Sequence, residues 1–73
     1  MTAASIRLAL HDAATNCVRD GATARVILRG SAELVGTLQP VSGADMGTRH
    51  LHNARGGWAT FEVAEVAAVE TYR

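Results

Sequence analysis

Residues Ala24 to Gln39, Ala-Arg-Val-Ile-Leu-Arg-Gly-Ser-Ala-Glu-Leu-Val-Gly-Thr-Leu-Gln, constrain what this chain can fold into more than any other stretch. Ala24, Val26 and Leu28 alternate with Arg25, Ile27 and Arg29, the two-residue period of a strand that presents one set of side chains to each face. Gly30-Ser31 reads as a tight turn, after which Leu34, Gly36 and Leu38 share one face and Val35, Thr37 and Gln39 the other. The stretch is therefore a β-hairpin. Gly36 is its most informative residue: a mid-strand position without a β-carbon marks a bulge, a sharp bend or a close backbone approach, the devices that curl a short sheet into a barrel.

Upstream of the hairpin the period is helical. Thr2 or Ser5 can cap a helix start, and Gly21 follows Asp20 where a left-handed closing residue is wanted, which predicts a helix over about residues 3–20. At ~100° per residue, Ile6, Ala9, Leu10, Ala13, Ala14, Cys17 and Val18 gather on one side, with Arg7, His11, Asp12, Thr15 and Arg19 largely opposite. Leu8 projects from the polar side, as an isolated surface leucine or as a contact with a partner. Downstream, Pro40 to Gly47 is a loop or the frayed tip of a long hairpin, because proline lacks a donor and the glycines punctuate. A short strand follows at about 48–53 and a turn at Ala54-Arg55-Gly56-Gly57. Trp58 to Val63 alternates, with Ala59, Phe61 and Val63 opposed to Trp58, Thr60 and Glu62. Ala64-Glu65 reads as one helical turn, and Val66 to Tyr72 as a last strand carrying Val66, Val69 and Tyr72. One helix and five short strands in meander order predict a mainly β fold, a strongly bent antiparallel barrel of the SH3-like kind with the helix over one open end.

Composition sets the scale. The chain of 73 residues makes one domain, 1–73, near the lower size limit for a core without a disulfide or a metal. Its apolar share of 48% is rich in alanine and holds one Trp, one Phe and one Tyr, so the core must be small. Seven arginines balance seven acids and lysine is absent; a net charge of zero provides no long-range attraction for polyanions, and nucleic-acid binding needs a local patch. Cys17 is the single cysteine and lies in the helical pattern, which suits a small buried hydrophobe in a reducing compartment. His11, Asp12, Asn16 and Arg19 break up the first 20 residues, and no segment reaches the roughly 18 apolar residues of a membrane span. The expectation is a soluble cytoplasmic protein with no membrane partner.

The residues that bear chemistry are few. His50 and His52 leave the same face of a strand, as a metal pair requires, but His11 and Asp45 are poorly placed to be a third ligand, so no metal is expected. A catalytic centre needs a pocket and an orienting partner, which so small a core scarcely buries; neither enzyme activity nor a cofactor is expected. Gly56-Gly57 lacks the lysine and the following helix of a phosphate loop, and is a hairpin turn. Trp58 beside that turn is either packing, in the core or between subunits, or a stacking platform for an unpaired base next to Arg49 and Arg55. Arg25, Arg29, Arg49, Arg55 and Arg73 form one basic surface only if the fold gathers them.

Val26-Ile27-Leu28-Arg29-Gly30-Ser31 and Leu34-Val35-Gly36-Thr37-Leu38 resemble the first motif of the Sm/LSm family, in which a strand and a glycine turn lead to a second strand reading apolar, glycine, any residue, leucine. The helix and strand order extend the likeness over nearly the whole chain. The resemblance implies a five-stranded bent barrel that assembles into rings of six or seven subunits, the fourth strand of one subunit pairing with the fifth of the next. Here those edges are Trp58–Val63 and Val66–Tyr72, with Trp58, Phe61, Val63, Val66, Val69 and Tyr72 as the implied interface. The family's RNA-contacting signatures are degenerate: Ser42 and Met46 stand nearest the loop aspartate and asparagine, and Ala64-Glu65 replaces arginine-glycine. The function expected is a non-enzymatic homo-oligomeric module binding RNA or another nucleic acid through Arg25, Arg29, Arg49, His50, His52, Arg55 and Trp58. Its rival is an adaptor that docks onto another protein.

Overall fold

The computed structural model describes residues 3–40, 47–53 and 55–73; the expected cap at Thr2, the loop residues 41–46 and Ala54 lie outside them. Helix α1 spans Ala3–Asp20 and ends as the sequence requires, with Gly21 in the left-handed region at φ 67°. Its inner face buries Ile6, Leu10, Ala13, Ala14 and Cys17. Val18, expected on that face, is instead 65% exposed. Its azimuth lies about 100° from the centre of the buried stripe, where the helix no longer touches the sheet.

The strands are β1 Thr23–Leu28, β2 Glu33–Leu38, β3 Thr48–His52, β4 Trp58–Glu62 and β5 Val66–Tyr72, and a 3-10 turn at Val63–Glu65 joins the last two. They form one antiparallel sheet in the order β4-β3-β2-β1-β5. The sheet is open: β4 and β5 are its two edges and do not pair with each other. The β1–β2 turn takes its left-handed residue from Ser31, φ 70°, and not from the neighbouring glycine.

β2 changes partner along its length. Its first half pairs with β1, from Ile27↔Glu33 to Ala24↔Gly36, and its second half with β3, at Thr37↔His52 and Leu38↔Leu51. Gly36 is the hinge between the two ladders. A β-carbon there would meet the His52 carbonyl oxygen and stand 2.8 Å from Asn53 Cα, so the close backbone approach expected of this glycine is present.

The inner face of the sheet carries Ala24, Val26, Leu38, Leu51, Phe61 and Val66, which close with α1 and with Val63 of the 3-10 turn into one core. Val66 and Val69 are three apart yet both face inward. A bulge admits this: Ile27 pairs with Ala68 and Leu28 with Val66, so one extra residue is taken up between them. Cys17 is free and buried.

Candidate functional site

The register of the five strands brings an unforeseen row of side chains to the outer face, away from α1. His52 pairs with Thr37 on one side and Trp58 on the other, and Thr23 pairs with Tyr72. Ala24 opposite Gly36 sets Thr23 beside Thr37. The resulting row, Tyr72, Thr23, Thr37, His52 and Trp58, crosses all five strands at the line where the two ladders of β2 meet. Thr23, Val35, Gly36, Thr37, His52 and Asn53 line a depression of about 220 Å³ beside it.

Trp58 is 62% exposed and Tyr72 48% exposed, at the two ends of this row. The Trp58 and His52 rings lie 4.7 Å apart at a tilt of 52°, a geometry that suits the quadrupoles of two aromatic rings. The turn before Trp58 is built by Asn53. Its Oδ1 accepts from the Arg55 and Gly57 N–H groups at 2.9 and 3.0 Å, and its own N–H donates to the Gly57 carbonyl at 2.9 Å. Asparagine ahead of an Arg-Gly-Gly turn is a legible signal for such a side-chain-braced loop. The row had no such signal, because no local pattern reports how strands far apart in sequence align.

The arginines do not form one surface. Arg25 is on the outer face, bound to Glu33 at 2.8 Å and to Glu70 at 2.8 Å. Hydrogen bonding to Glu33 and then to Glu70 pushes its guanidinium further above its already high pKa, while the Arg25 hydrogen bond, followed by its charge, holds Glu33 below the usual carboxylate range. Arg73 lies 3.5 Å from Asp20. Arg29 follows the far end of β1, about 20 Å of strand from Thr23, where its N–H donates to the Glu65 carbonyl at 2.8 Å. Arg49 pairs with Phe61 on the inner face and is only 7% exposed, so it leaves the nucleic-acid set on the opposite side of the sheet. Arg55 is exposed in the turn beside Trp58.

His50 shares the outer face with His52, and its Nδ1 shares a 3.0 Å hydrogen bond with Thr60 Oγ1 across to β4. Among the described residues no three His, Cys, Asp or Glu side chains come together as a metal site; Asp45 lies outside the described residues.

Among the residues expected at a subunit interface, Phe61, Val63 and Val66 spend their side chains in the chain's own core, and Val69 packs against it. Only Trp58 and Tyr72 present apolar surface outward. What the edges of β4 and β5 offer a neighbour is therefore main-chain hydrogen bonding, with one aromatic ring on each. No helix among the described residues is long and apolar enough to cross a membrane.

Fold and surface together define a small, mainly β chain with two open sheet edges and an exposed aromatic pair. No protein-family model, curated protein or solved structure matches the chain.

Proposed function

We propose that this chain is a non-enzymatic, Sm-like module of the cytoplasm, a strongly bent barrel that joins in homo-oligomeric rings and binds single-stranded RNA. The observation that carries the binding is the exposed Trp58, braced by His52 beside the Arg55 turn, with a depression lined in part by His52 next to it. An aromatic face accepts any base, at about 1–3 kcal/mol per stacked base, and a neighbouring arginine can meet the phosphate. The strand order and the partner change of β2 at Gly36 support the bent barrel, and the unpaired outer edges of β4 and β5 support the ring, each offering what the other lacks. Buried, unpaired Cys17 suits a reducing compartment.

Trp58 is the only tryptophan, so its fluorescence reports directly on the platform. Short uridine- and adenine-rich RNA is expected to quench it at low salt, with affinity falling as salt rises. Trp58→Ala should weaken RNA binding about 5- to 150-fold, measured by filter binding. If neither RNA nor single-stranded DNA changes the fluorescence or migration of the wild-type protein at low salt, the nucleic-acid reading fails. Light scattering at micromolar concentration tests the ring, and a monomer would remove it.

A specific observation favours the adaptor as a second reading. Leu8 and Val18 are 61% and 65% exposed on α1, away from the core stripe. Docking through them would hardly respond to salt.

A further inference from the structure

We propose that the groove between α1 and the β2–β3 end of the sheet is an oxyanion site, taking the phosphate or carboxylate group of a small molecule, with Arg49 as its principal ligand. The groove has a volume of about 340 Å³ and lies on the opposite side of the sheet from Trp58. Arg7, His11 and Thr15 from α1, Gln39 and Pro40 after β2, and Arg49 of β3 are among its lining residues.

Arg49 carries the inference. It occupies an inward position between Thr48 and Leu51, opposite buried Phe61, where an aliphatic side chain would complete the core. Its stem is covered, and among the described residues its guanidinium makes one hydrogen bond, from a terminal nitrogen to the Thr48 carbonyl at 3.1 Å. Among those residues no carboxylate forms an ion pair with it. A guanidinium has five N–H donors in a rigid fork, and burial without a counter-charge is costly. Its other donors are not sealed in the core but open on the groove. By contrast, Arg25, the other arginine of a strand interior, holds a glutamate on each side.

The rest of the groove fits the same ligand. Arg7 and His11 stand one helical turn apart on the flank that faces Arg49, and the Gln39 amide adds a neutral donor, while the Thr15 hydroxyl spends its one hydrogen on the His11 carbonyl at 3.0 Å. No acidic side chain is among the described lining residues. A planar carboxylate or a phosphate can take two parallel bonds from the Arg49 fork, a pairing a lysine cannot reproduce. Leu8, Leu10, Ala14 and Pro40 provide an apolar wall for a carbon skeleton attached to that group. This site is independent of the RNA platform, since it uses the inner face and the helix.

The test is a titration of the full chain, followed by nitrogen–proton NMR, with inorganic phosphate, phenyl phosphate and hexanoate, each at constant ionic strength maintained with chloride. Saturable shifts of the Arg49 Nε–Hε resonance and of amides in α1 and around Gln39 are expected, with phenyl phosphate or hexanoate binding more tightly than inorganic phosphate if the apolar wall is used. Arg49→Lys, which retains charge and most of the volume, should weaken binding roughly tenfold, and the surface change His11→Gln by a smaller factor. Shifts confined to Trp58 and Arg55, no saturation below about 10 mM, or equal affinity in Arg49→Lys would each overturn the proposal. Failure of RNA to bind would leave these shifts untouched.

Discussion

At Gly36 the backbone of β2 passes so near the His52–Asn53 peptide that a single methyl group has nowhere to go. The atoms it would strike are main chain, which cannot swing aside as a side-chain tip can. Gly36→Ala is therefore expected to cost more than about 3 kcal/mol, beyond the usual overpacking penalty, and to abolish the cooperative thermal transition. Near-wild-type melting would mean that the two ladders of β2 can separate without harm. Gly36 was legible in the sequence because a missing β-carbon in mid-strand has few physical excuses. Arg49 was not: its alternation with His50 was visible, but strand period says only that two neighbours face opposite ways, not which way is inward. A charged residue is naturally assigned to solvent, and only the pairing of Arg49 with buried Phe61 shows that its side chain leaves the inner face of the sheet.

Among the elements, the three strands β5, β1 and β2 are tied on their outer face by Glu70, Arg25 and Glu33. Because Glu33 is held below the usual carboxylate range, the folded chain binds its proton less readily than the unfolded chain. The contribution is thus fully present above the ordinary carboxylate value and is lost as pH falls through the lowered one. Melting temperatures of wild type and Glu33→Gln should differ at pH 7 and converge as pH falls below the usual carboxylate range. A gap that stays constant on acidification would contradict the ion-pair account. All five strands and the helix were readable from periodicity and from Gly and Pro punctuation. Val18 falls one residue outside the buried stripe, since apolarity places a residue near a face but the neighbouring sheet decides how far that face extends.

For the whole molecule, the core is one cluster made by α1 and the inner sheet face, and its largest fully buried side chains are Leu10, Leu38, Leu51, Val26 and Val66. A chain of 73 residues is stable by only about 4–11 kcal/mol. Leu51→Ala should remove about 2–5 kcal/mol of that, read as a fall in the urea midpoint. A loss under about 1 kcal/mol would show that β3 is peripheral to the core. By itself the sequence determined what alternation, helical period and special backbone residues can encode: the elements, their order, the bend at Gly36 and the closing glycine of α1. These are local, set by side chains a few residues apart. Only the tertiary structure decided the row from Tyr72 to Trp58, the capture of Arg25 by two glutamates and the turning of Arg49 to the inner face of the sheet. Each depends on which strand lies beside which and in what register, a property of residues 6 to 49 positions apart that no local pattern carries.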